Sequence, residues 1–252
     1  MKRLLRGIVV CAGLLMLPAL ALSQEGFDPD KVKLGSSSPY FNSGAFQSGL
    51  WSAKNLGELA TKNSPVREKE AAFGFSAKSE EAKFFIIGAL YSEAIACLNS
   101  GDRDLASKRL QLIEREFINM GAPSSLYGYV SKTRNMLETE NYPPEYMVTV
   151  LSFFGPFFED YAKGKSEEKL TLFRAGSWLV NMGLAAAAGD KVLLKQPDTL
   201  NYFTTQMKKM DAPKGVLDAL GEIQKVAQKE QITDKDSEHV LELIKEIENL
   251  LG

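Results

Sequence analysis

The feature that most limits what this chain can become is that it runs through one pattern twice. Phe85, Gly88 and Gly101-Asp102 recur as Phe173, Gly176 and Gly189-Asp190, each 88 positions later. Met120-x-Ala122-Pro123 returns as Met210-x-Ala212-Pro213, 90 later. Met147, Val148, Val150, Leu151, Phe154, Phe157 and Phe158 stand opposite Val240, Leu241, Leu243, Ile244, Ile247, Leu250 and Leu251 at an offset of 93. The offset grows only at loops, and the approach repeats as well, Ala77-Lys78-Ser79-Glu80-Glu81 matching Lys165-Ser166-Glu167-Glu168. An ordered set of this kind predicts an internal duplication.

Within each copy the apolar period is helical. Phe84, Ile87, Gly88, Tyr91, Ala94, Ile95 and Leu98 fall at i, i+3, i+4, i+7 spacing and predict an amphipathic helix. Gly101 suits the left-handed C-terminal cap that ends it. A second helix starts at Asp102 or Arg103 and buries Leu105, Leu112, Ile113, Phe117 and Met120. A third follows Pro123 with Leu126, Val130 and Leu137, and a fourth runs from Glu145 to about Tyr161. The second copy repeats the series with Leu172 to Ala186, a helix near Pro197 with Leu200, Phe203 and Met207, then Val216, Leu220 and Ile223, and finally Ser237 to Leu251 behind Asp234 and Asp236 as caps. Its first helix carries small residues where Ile87, Ile95 and Leu98 stand in the first copy, which lets another helix come close. No segment alternates with period two, so the expected fold is all-α, two tandem four-helix units spanning 73–163 and 164–252.

The segments ahead of the first unit read differently. Met1 to Arg6 is a basic head and Gly7 to Leu20 an apolar run, the pattern of a signal peptide over 1–23 with cleavage before Gln24. The run is too short for a membrane anchor, which needs about 20 apolar residues. Residues 24–72 form an arm rich in Gly, Ser, Pro and Asn with scattered aromatics and one short helix, Gly49 to Thr61. After cleavage 27 basic residues face 32 acidic ones, a balance with no electrostatic case for nucleic acid. Cys97 is then the sole cysteine, so stability must come from packing rather than disulfides. These features place the protein in the periplasm or outside the cell, with no membrane span after cleavage.

Gly101-Asp102-Arg103-Asp104-Leu105-Ala106, with Leu110 and Ile113 beyond, resembles the turn and second helix of a tetratricopeptide hairpin over about 34 residues. Cys97 stands at that family's tyrosine, Ile118 at its closing proline, and Leu194 at its alanine in the second copy. The resemblance implies a helical-hairpin module that binds protein.

Residues that carry chemistry are sparse. His239 is the single histidine, which excludes histidine metal clusters, and it sits off the apolar stripe of the last helix. Asp234-x-Asp236-x-Glu238 has the opening of a calcium loop, but His239 occupies the position that needs glycine. Glu114, Glu116 and Glu159 are the carboxylates that a cell-wall hydrolase would draw on; paired carboxylates need a cleft and a defined separation. No catalytic, cofactor or metal set emerges. The most unusual stretch is Ser152-Phe153-Phe154-Gly155-Pro156-Phe157-Phe158, where Pro156 must kink or break a helix. It has three possible uses: core between the copies, an aromatic partner groove, or an apolar pocket for a small molecule or lipid. Trp51, Phe153, Phe154, Phe157, Phe158 and Trp178 are the candidate contacts. The expected function is a non-enzymatic interaction or scaffold module of the envelope with a protein partner. A carrier of an apolar ligand between the units and a glutamate-dependent hydrolase are the alternatives.

Overall fold

The computed structural model describes residues 80–139 and 141–251. The stretches expected to form a signal peptide, an arm and a short helix, with Trp51, lie outside the described residues. Within them the fold is all-α: α1 (Glu80–Asn99), α2 (Arg103–Asn119), α3 (Ser124–Thr139), α4 (Pro144–Ser152), α5 (Phe154–Lys165), α6 (Glu167–Ala188), α7 (Lys191–Leu194), α8 (Pro197–Lys209), α9 (Lys214–Ala227) and α10 (Asp234–Leu251).

Two helices form the centre. Every residue from Ile87 to Leu98 of α1 is buried, and so is every residue from Ala175 to Ala186 of α6. A helix that is apolar on all sides must be enclosed by others. Accordingly α2 and α4 pack on α1, α8 and α10 pack on α6, α3 packs on α2, and α9 packs on α8 and α10. The closest approach is between α1 and α6 themselves, and glycine makes it possible. A Cβ on Gly88 would lie 1.9 Å from the Phe173 carbonyl oxygen, and one on Gly176 would lie 2.0 Å from that of Phe85. The contact is reciprocal, each glycine facing the main chain of the turn before its counterpart.

The turns correspond in the same way. Asp102 N–H donates to Cys97 O at 2.9 Å behind Gly101 (φ +82°), and Asp190 N–H donates to Ala185 O at 2.9 Å behind Gly189 (φ +69°). Both bonds satisfy carbonyls that a helix end leaves open. Asp102 then caps α2 through Leu105 N, and Asp190 caps α7 through Val192 N and Leu193 N. At Met120-Gly121 and Met210-Asp211 the left-handed residue is a glycine in one case and an aspartate at φ +53° in the other; Asp is among the few side chains that visit this region.

Three local expectations are corrected. The fourth helix is divided at Phe153 rather than at Pro156, because a proline removes the N–H that would pair with the carbonyl four residues back and crowds that carbonyl. The break therefore falls one turn ahead of the ring. The residues gained near Pro197 form α7, a single turn capped by Asp190. Helix α5 ends at Lys165, and Ser166 caps the start of α6, its hydroxyl accepting from Lys169 N at 3.1 Å. The cap of α10 is Thr233 rather than Asp234: Asp236 N–H donates to Thr233 Oγ1 at 3.3 Å, while Asp236 Oδ2 accepts from Thr233 N and Oγ1, both at 2.8 Å. This is a reciprocal capping box with Asp in place of Glu, and it employs the carboxylate that a calcium loop would have needed.

Candidate functional site

The division at Phe153 decides what the fourth helix of the first unit can reach. Helix α4 packs on α1, whereas α5 packs on α6, so the broken helix passes from one central helix to the other. Met147, Val148 and Leu151 of α4 and Phe154, Phe158, Tyr161 and Ala162 of α5 are buried by these contacts. Phe158 lies at the crossing, with ring centroids 5.0 Å from Phe117, 5.6 Å from Tyr91 and 6.3 Å from Phe173. Such edge and tilted arrangements suit the ring quadrupoles.

The opposite face of the same two helices is also apolar. Tyr146, Val150, Phe153 and Phe157 recur at i, i+4, i+7 and i+11, with Tyr146 47% and Phe153 49% exposed. Tyr142 pairs with Tyr146 at 4.9 Å, and Tyr129 of α3, 59% exposed, reaches Phe154 at 6.4 Å. Arg103 fastens the loop that leads into α4, donating from Nη1 to Tyr142 O at 2.6 Å and from Nη2 to Leu137 O at 2.9 Å. The result is an aromatic surface on α3, the α3–α4 loop, α4 and the start of α5, continuous through Phe154 with the core.

The sequence-derived contacts thus separate. Phe153 is on the surface, Phe157 half-buried, and Phe154 and Phe158 point into the core. Trp178 lies in α6, buried against Phe203 at 5.1 Å, away from the exposed rings. Tyr129 and Tyr146 were missed. Their signal was an aromatic residue off the apolar stripe of its helix, beside Val130 in one case and Met147 in the other.

Beneath this surface the Tyr91 hydroxyl addresses the end of α4, 3.3 Å from Leu151 O and 3.5 Å from Ser152 O. Burial pushes the Tyr91 phenol far above its ordinary value, so it remains an O–H donor. Elsewhere the interior holds a buried ion pair, Arg109 Nε to Glu93 Oε2 at 2.5 Å, joining α2 to α1. Cys97 lies one turn further along α1, its thiol pushed up to about 12 by burial and then by Glu93. The Ser92 and Ser177 hydroxyls touch across the α1–α6 contact. The glutamates considered for hydrolysis each have an arginine: Glu114 with Arg134 at 3.3 Å, Glu116 with Arg115 at 3.7 Å and Glu159 with Arg174 at 2.5 Å. Among the described residues no group of three His, Cys, Asp or Glu is placed to hold a metal ion, and no helix is long and apolar enough to cross a membrane.

The described residues thus form an all-α fold with two buried central helices and exposed aromatic side chains on α3 and α4. No family model, curated protein or solved structure matches the chain. The likeness to tetratricopeptide hairpins therefore stands on the residues around Gly101-Asp102 alone.

Proposed function

We propose that this is an exported, non-enzymatic interaction module of the cell envelope, and that a protein partner docks on the aromatic face at the α4–α5 break. The observation that carries this is the exposure of Tyr146 and Phe153 on one face of α4, at 47 and 49%, with Tyr129 of the neighbouring α3 59% exposed. Grouped apolar side chains on a soluble face favour a partner that removes them from water, and aromatic anchors dominate the energetics of such contacts. The carrier alternative needs an apolar space between the units; along α1 and α6 that space is closed by main chain against main chain at Gly88 and Gly176. The arginine partners of Glu114, Glu116 and Glu159 likewise favour binding over hydrolysis.

A photo-reactive phenylalanine analogue at position 153, expressed in the host and irradiated in its envelope, tests the reading. The same analogue at Val192, 81% exposed and on the other unit, controls for general stickiness. One defined polypeptide should be trapped from 153 and not from 192, and the adduct should be lost in Tyr129→Ser/Tyr146→Ser protein. Equal labelling at both positions, or none at 153, refutes the proposal. Native mass spectrometry showing an added mass of a few hundred daltons in place of a polypeptide would favour the carrier.

A further inference from the structure

Phe153 closes α4 on the same outward face as Tyr146, and a proline alone does not determine how the two halves sit. In an unbroken helix Leu151 O and Ser152 O would accept the N–H groups of residues 155 and 156. Pro156 has no N–H, so the Ser152 carbonyl loses its partner within the helix. Tyr91 of α1 brings its hydroxyl to both carbonyls, at 3.3 and 3.5 Å. The space for that hydroxyl exists only because residue 155 is glycine: a Cβ there would lie 2.7 Å from Tyr91 Oη, against 3.3 Å from Cζ.

We propose that Tyr91 is the positioning residue of the aromatic surface: its hydroxyl holds the carbonyls at the α4–α5 break, and so sets how α4, which carries Tyr146 and Phe153, sits against α5, which carries Phe158 into the core.

The chain carries its own control. At the offset of 88 Leu179 stands opposite Tyr91, and at the offset of 93 Asn249 stands opposite Pro156. In that half no phenol faces the last helix from this position, and α10 runs unbroken from Asp234 to Leu251. The outward positions differ in the same sense, His239 opposite Tyr146 and Glu246 opposite Phe153, both exposed. The hydroxyl, the glycine that admits it, the proline that creates the need for it and the aromatic face occur together in one half and are replaced together in the other.

The inference rests on the interaction reading only for its consequence, the docking of a partner; the latch is testable without one. The full chain would carry 4-fluorophenylalanine at position 153 by site-specific incorporation, as wild type, Tyr91→Phe, Gly155→Ala and the double variant. Fluorine resonances would be recorded well below the unfolding temperature, with hydrogen exchange of the amides from Leu151 to Phe158. Tyr91→Phe should shift the resonance and speed exchange across the break about five- to tenfold, the scale of one lost buried hydrogen bond. Gly155→Ala should lower the urea midpoint more with Tyr91 present than in the Tyr91→Phe background, because the closest contact then relaxes from 2.7 Å at Oη to 3.3 Å at Cζ. A merely structural role for Tyr91 would lower the midpoint of Tyr91→Phe without moving the fluorine resonance. That result, or an equal cost of Gly155→Ala in both backgrounds, overturns the proposal. If 153 traps no polypeptide while these couplings hold, the docking reading fails and the latch stands; if wild type traps a partner and Tyr91→Phe traps it equally with an unmoved resonance, the latch fails and the docking reading stands.

Discussion

Replacing Gly88 by alanine tests the central contact most directly, because the usual sign of such a change should invert. Alanine in a helix is favoured over glycine by about 1 kcal/mol. At Gly88 the added carbon would sit 1.9 Å from the Phe173 carbonyl oxygen, which belongs to rigid helical backbone. Restoring even the 3.0 Å that real Cβ contacts respect requires α1 and α6 to separate by about 1.1 Å. A radial gap of about that size forfeits a quarter to a half of each dispersion contact across the interface. Overpacking of this kind costs about 1–3 kcal/mol, occasionally more, so a net loss of about 0–2 kcal/mol remains after the gain in propensity, against the net gain expected at an open site. Gly128 of α3 and Gly221 of α9 supply the controls, since a Cβ on either meets nothing within 4 Å. Alanine there should stabilise by about 0.5–1 kcal/mol. Urea unfolding of the four proteins reads the midpoints at constant slope. Gly88→Ala/Gly176→Ala should cost less than the two single changes combined, because helices already pushed apart by the first carbon accommodate the second. A Gly88→Ala protein as stable as Gly128→Ala would refute the reasoning.

The buried pair offers a different signature. Glu93→Leu strands Arg109 inside and should cost about 3–5 kcal/mol, whereas Glu93→Leu/Arg109→Met should recover most of it, checked by the same urea midpoints; equal losses would show that the pair itself stabilises. Asp236 links stability to pH. Its carboxyl is held well below the usual range, first by the Lys229 ammonium and then by the Thr233 N–H and hydroxyl. The advantage over Asp236→Asn should be complete above about pH 4, the ordinary carboxylate value, and shrink as pH falls towards the depressed folded value. A difference that stays constant from pH 6 to pH 2.5 would exclude that linkage.

How far the sequence reached depends on the range of the interactions involved. The all-α class and the ends of most helices were legible, because caps and the helical period act within a few residues. Gly101 with Asp102, Gly189 with Asp190 and Pro123 with Gly121 mark their turns wherever the chain lies in space. The same local logic named Asp234 and Asp236 as the caps of α10; Asp236 does share the role, but with Thr233, one residue ahead of Asp234. Of the candidate contacts, Phe153 to Phe158 were singled out as a group, but periodicity could not divide them. Which ring faces water follows from α4 lying on α1 and α5 on α6, neighbours distant in sequence. Trp178 was chosen for its size, and size is equally what a core selects.

Sequence alone determined that this chain forms helices, where it must turn, and that a proline interrupts the fourth helix, since each is a property of bond rotations and neighbouring hydrogen bonds. Tertiary structure decided that α1 and α6 become the enclosed centre, with Gly88 and Gly176 giving main-chain contact between them. It also decided that Tyr91 meets the carbonyls at the break and that Tyr129, Tyr146 and Phe153 are left exposed. Those outcomes depend on which surfaces are removed from water together, and no local pattern encodes that before the helices have packed.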